Sequence, residues 1–82
     1  MKITAVTKDQ LIIIDGVPVG PPECSFSMPA GEWAVRFDTD TGIGEVEYLD
    51  NRQNEVIGLE DFEQRYTGLV AEHDRVKGLL AE

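Results

Sequence analysis

The first twenty residues alternate short apolar runs with turn-forming residues. Ile3 and Ala5 precede Thr7-Lys8-Asp9-Gln10, the run Leu11-Ile12-Ile13-Ile14 follows, and Asp15-Gly16 leads into Val17-Pro18-Val19. Asp-Gly between two apolar runs predicts a two-residue hairpin of type I′, because both central positions need positive φ. Pro18 has no N–H to give a ladder, so the strand it belongs to is expected at a sheet edge. Gly20-Pro21-Pro22 ends the pairing and opens a loop.

A period of two is clearest from Glu32 to Asp38 and again from Ile43 to Leu49, around Thr39-Asp40-Thr41-Gly42. With Asp38 opposite Ile43, Arg36 faces Glu45 on one side of the hairpin. Val35 then faces Val46, and Trp33 faces Tyr48, on the other. A slip of one residue would set Trp33, Val35 and Phe37 against the side that carries Glu45 and Glu47, so this register is the expected one.

A short extended piece at Glu55-Val56-Ile57 ends at Gly58, and from Glu60 the period changes. Phe62, Tyr66, Leu69, His73, Val76 and Leu80 are spaced 4, 3, 4, 3, 4, which predicts an amphipathic helix. Acidic Glu60, Asp61 and Glu63 near its start, with Arg75 and Lys77 near its end, suit the helix dipole. The expectation is an α+β fold in one domain. Residues 1–58 form a small antiparallel sheet of hairpins, and residues 59–82 form one C-terminal amphipathic helix.

Composition narrows the functional classes. At 41% hydrophobic and 28% charged, the chain suits a folded domain. Its longest aliphatic run, Leu11 to Ile14, is far short of the ~20 residues that cross a bilayer. The first residues carry no apolar signal segment, so the chain is expected to stay where it is made. The lone Cys24 is read as a packed thiol in a reducing compartment. A net charge of -9 repels phosphate backbones and anionic lipid, so neither nucleic acid nor membrane is an expected direct partner. Asp38, Asp40, Glu45, Glu47 and Asp50 put five acids and no base in thirteen residues. They are read either as solubilising charge or as a candidate docking face for a basic partner.

Catalytic and cofactor chemistry is poorly provided for. The single imidazole, His73, lies within the apolar stripe. Asp74 beside it points about 100° away on a helix and is badly placed to orient the ring. Asp38-Thr39-Asp40-Thr41-Gly42 starts like a calcium loop but continues with Ile43 where glycine belongs and Leu49 where glutamate closes the site. Gly42-Ile43-Gly44 reaches Glu47 where a dinucleotide fingerprint needs its third glycine. The expectation is a protein that is not an enzyme, with no catalytic residues, cofactor, metal or small-molecule substrate.

The 4-3 stripe has two readings: packing on its own sheet, or an attachment seam between copies. In the second, Phe62, Tyr66, Leu69, His73, Val76 and Leu80 are interface residues. Stacked His73 imidazoles would then loosen the assembly as pH falls through about 6.

Trp33-Ala34-Val35-Arg36-Phe37-Asp38, Gly44-Glu45-Val46-Glu47-Tyr48 and Asn54-Glu55-Val56-Ile57 with Phe62, together with an N-terminal hairpin through Thr4-Ala5-Val6-Thr7, resemble a family of short bacteriophage and prophage proteins encoded beside tail-fibre or tail-tip genes. Gln53 stands where that pattern has proline. The resemblance covers most of the chain and has no catalytic residues to carry over. It implies a tail-associated structural or assembly protein, present in the bacterial host cytoplasm during assembly or in the virion tail. Its expected partners are other phage tail proteins or copies of itself, with a trimer the first oligomer to test. The rival reading is a small acidic phage inhibitor that docks on the nucleic-acid-binding site of a host protein.

Overall fold

The computed structural model describes residues 1–50 and 52–80. Among these residues six strands run β1 (Lys2–Val6), β2 (Leu11–Ile14), β3 (Val17–Val19), β4 (Glu32–Asp38), β5 (Ile43–Tyr48) and β6 (Glu55–Gly58), followed by one helix, α1 (Leu59–Leu80). They form one sheet in the order β3-β2-β1-β4-β5-β6, every neighbour antiparallel. The sheet is two three-stranded meanders joined along β1 and β4. The α+β architecture read from the sequence is the one observed.

Local chemistry sets the turns. Asp15 (φ 49°) and Gly16 (φ 82°) both take positive φ, so the β2–β3 connection is the tight turn that Asp-Gly favours. Pro18 sits in β3, an outer strand of the sheet, where its missing donor leaves no ladder bond unmade. Between β4 and β5, the amide of Gly42 (φ 71°) donates to Asp38 O at 2.9 Å and closes the turn.

Sheet residues of alternating parity, among them Ile3, Ala5, Ile12, Val35, Phe37, Val46 and Ile57, are buried on one face. The helix begins directly after β6 and packs on β6, β2 and β3, so it crosses that face. At 22 residues it is about 33 Å long, enough to span the sheet. Phe37 stacks on Phe62 with ring centroids 4.4 Å apart. A Cβ at Gly44 would lie 2.6 Å from Phe37 Cδ2 and would collide with Arg36 O, so glycine is what lets this ring lie flat on β5.

The helical stripe has the expected period and a different use. Phe62, Tyr66, Leu69, His73 and Val76 are between 0 and 4% exposed, sealed against the chain's own sheet. These residues are therefore core and not the free seam between copies that the second reading expected. No layer of facing imidazoles can form through them. The physical reason is the sheet itself: its apolar face needs cover, and the helix supplies it together with Cys24, Phe26 and Met28 of the loop between β3 and β4. The side chain of Leu80, and residues 51 and 81–82, lie outside the described residues.

Candidate functional site

A β-bulge changes which residues of β4 point inward. The pairing runs Asp38↔Ile43, Arg36↔Glu45 and Val35↔Val46 as expected, then shifts, so that Ala34 meets Glu47 and Glu32, not Trp33, meets Tyr48. Trp33 is the extra residue and is turned to solvent at 38% exposure, while Glu32 is buried at 4%. This corrects the expected Trp33–Tyr48 pair. Thr7 holds the bulge from β1's end: its amide donates to Trp33 O at 2.9 Å and its hydroxyl to Glu32 O and Trp33 O at 3.2 and 3.0 Å.

The buried Glu32 carboxylate is fully engaged. Arg65 Nη2 donates to Oε2 at 2.9 Å and the Tyr66 hydroxyl donates to Oε1. Arg65 also donates to Glu55 Oε1 at 3.1 Å, and the Tyr48 hydroxyl donates to that same oxygen at 2.8 Å. Burial and the hydrogen bond to Glu32 together push the Tyr66 phenol well above its ordinary pKa. Burial opposes the charge on Arg65, but its bonds to Glu32 and Glu55 outweigh that and raise its pKa. The Tyr48 and Arg65 donors hold the Glu55 carboxyl below its usual range. With each oxygen of the buried Glu32 accepting an internal donor, the cluster is a clasp between β4, β6 and the helix. Neither Glu32 nor Arg65 is marked as a site residue by the sequence, and Tyr48 is expected there only as the partner of Trp33.

A second clasp holds the loop between β3 and β4 to the helix. Glu72 accepts from the Ser25 amide at 2.8 Å and from Arg75 at 2.7 and 2.8 Å, while Arg75 Nη2 also donates to Glu23 O at 2.7 Å. The Arg75 bonds first, then the Ser25 amide, hold the Glu72 carboxyl down to about 2. Buried Cys24 lies beneath, its thiol pKa raised by burial and by the nearby Glu72 charge, against a smaller opposing effect of Arg75. A hollow of about 360 Å³ beside this loop is lined by Ser25, Phe26, Ser27, Arg65 and Arg75 among others. Both arginines there are bound to the chain's own carboxylates.

The five acids of the candidate docking face do not act as one group. Asp38 and Asp40 sit at one end of the β4–β5 hairpin and Asp50 beyond the other, roughly 20 Å apart for six strand residues. Asp40 contacts the N-terminal ammonium at 3.3 Å, Glu47 pairs with Arg36 at 2.7 Å and Asp50 with Arg52 at 2.9 Å. The Arg52 bonds hold the Asp50 carboxyl below its usual value. Asp38 and Glu45 have no cationic partner among the described residues; Asp38 accepts the Asp40 amide and Glu45 the Asn54 side-chain amide. His73 is not arranged with Cys24 and Asp74 as a catalytic set. Its Nε2 donates to Val17 O at 2.7 Å, and Asp74 is exposed.

The helix-free face of the sheet is the remaining surface. The registers place Lys2, Asp38, Ile43 and Gly58 in one cross-strand row and Thr4, Arg36, Glu45 and Val56 in the next. A shallow groove of about 460 Å³ runs over these two rows. Ile43 and Val56 are 58% and 71% exposed. Among the described residues no three His, Cys, Asp or Glu side chains converge as metal ligands do, and no helix is long and apolar enough to cross a membrane. No family model, curated protein or solved structure matches the chain.

Proposed function

We propose that this chain is a protein-binding assembly module that attaches to a larger protein through the helix-free face of its sheet, and that its setting is a bacteriophage tail. The observation that carries the docking surface is the one-sided cover of the sheet: α1 packs on one face, and the opposite face keeps Ile43 and Val56 in solvent beside a groove. Exposed apolar side chains grouped next to a hollow are what interaction surfaces retain. The tail setting is supported by the sequence resemblance alone.

The acidic-inhibitor reading has less support. Three of the five acids it relies on are already paired with cations of the same chain, and breaking those pairs would offset part of the gain on binding.

The test is site-specific photocrosslinking in cells producing phage particles, with the crosslinker at position 43 on the open face or at position 71 on the outer side of the helix. A tail protein captured from position 43 and not from position 71 supports the reading. Capture from position 71 with none from position 43 overturns it.

A further inference from the structure

Residues 20–31, which connect β3 to β4, lie against the helix without joining the sheet. Cys24 is buried and Phe26 and Met28 pack partly buried against the core, while Ser25 and Ser27 between them are exposed. That is the alternation of a strand, yet the segment pairs with no strand. Side chains meet its backbone instead. The Ser25 amide donates to Glu72 and the Phe26 amide to Gln10 Oε1, both at 2.8 Å, and Glu23 O accepts from Arg75 at 2.7 Å. Its other backbone bonds, Cys24 N to Gly20 O and Glu32 N to Pro29 O, are local.

These tethers are separable from the rest of the fold. β3 and β4 are placed by their own ladders to β2, β1 and β5, and the helix by its packing on β2, β3 and β6, so none of these depends on the loop. Gly20 and Gly31 flank the segment, and Gly31 O is held by the Leu49 amide at 2.9 Å. The ends stay anchored while the span between them is free to lift. Segments with few buried apolar groups and exposed hydrogen bonds open at a smaller free energy than the whole domain. Here Cys24 alone is fully buried, and the bonds to Glu72 and Arg75 lie on the exposed side.

We infer that residues 21–30 form a strap that lifts as a unit from a folded body, and that this lifting is the step that makes Cys24, the chain's single thiol, reachable from solvent. Glu72 is the latch. It holds Ser25 directly, and it positions Arg75, which it binds at 2.7 and 2.8 Å, for the bond to Glu23 O. The closed strap keeps Cys24 at 2% exposure. The open face of the sheet takes no part, so the inference stands apart from the assembly reading.

The test is labelling of Cys24 in the full-length chain by an aromatic disulfide, followed against urea, with a synthetic peptide of residues 20–31 as the unprotected reference. The expected rate is well below the peptide's, nearly flat at low urea, and joins the steep limb of global unfolding only near the transition. Glu72→Ala should raise the flat limb about tenfold, because a charged acceptor is lost. Ile57→Val, which thins the core on β6, should move the steep limb to lower urea and leave the flat limb unchanged. A rate that tracks global unfolding at every urea concentration overturns the inference, as does a flat limb raised in Ile57→Val by as much as its global stability falls. Labelling at the peptide's rate overturns the closed strap. Amide exchange at Val76 that reports the same opening equilibrium as labelling would place the opening in the helix, and overturns it as well.

Discussion

Glu32 and Arg65, 33 positions apart in sequence, meet at 2.9 Å where β4 passes under the start of the helix. The glutamate is almost wholly buried and the arginine side chain is 27% exposed, so the pair is shielded on one side and reaches solvent on the other. A buried ion pair contributes little over an apolar pair of the same shape, but losing one partner leaves the other's charge stranded. The asymmetry gives a measurable signature.

Arg65→Met is expected to destabilise the fold by about 3 kcal/mol, a large share of what a domain of this size has. Glu32→Gln should cost less, because the amide oxygen still accepts from Tyr66 and nothing charged is left without solvent. The double variant Glu32→Leu/Arg65→Met should recover part of the loss. Urea denaturation of the parent, Glu32→Leu, Arg65→Met and the double variant gives the coupling directly, and additive losses would show that the clasp does not act as a unit.

The glycines should respond with opposite signs. Gly44→Ala pushes a methyl into Arg36 O and the Phe37 ring, and is expected to cost at least about 2 kcal/mol, as overpacking does. Gly68 and Gly78 lie in α1 with open space where a Cβ would stand. Alanine at either should stabilise by up to about 1 kcal/mol. Thermal melts of the three single variants check the ordering.

Most of the scaffold was legible because periodicity and turn chemistry agree with the tertiary structure. The Asp15-Gly16 turn, the edge position of Pro18, the register from Val35 to Asp38 and the spacing of the helical stripe all follow from local rules. Two things did not. Spacing identified the stripe's apolar face but not its mate, since a sheet and a neighbouring helix make the same demand on a 4-3 pattern. The bulge at Trp33 was hidden because alternation favours the large aromatic inward, and only the Arg65 and Tyr66 side chains arriving from the helix make Glu32 the better inward residue. The open-face patch was hidden too, as Ile43, Gly58 and Val56 become neighbours only once β5 and β6 pair.

Acid should weaken the loop clasp only below the ordinary glutamate range. Glu72 in the folded chain titrates at about 2, below the usual glutamate range near 4.3, so the unfolded chain binds the proton first as pH falls. The stabilisation is then fully present above the ordinary glutamate pKa and is lost between there and about pH 2. Proton exchange at the Ser25 amide, followed from pH 6 downward, should show falling protection across that window. Glu72→Gln should flatten the dependence at Ser25, and a variant that keeps the parent's profile would show that another carboxylate governs the loop.

Trp33 tests the bulge without any substitution. It is the chain's single tryptophan. In an unbroken ladder it would oppose Tyr48 on the helix-covered face, and its emission would be that of a buried indole. In the observed register it lies 38% exposed while Glu32 takes the inward place. Native emission should therefore lie well to the red of a buried indole, and acrylamide should quench it readily. The neutral quencher matters, because an anionic one is repelled by a molecule of this charge. Deleting Trp33 would place Glu32 and Ala34 in adjacent ladder positions, each still opposite its present partner. That shortened chain should fold with Glu32 still on Arg65, and a cooperative urea transition would confirm it. Blue-shifted, poorly quenched emission from the parent, or failure of the deletion variant to fold, would instead mean that the indole is part of the core.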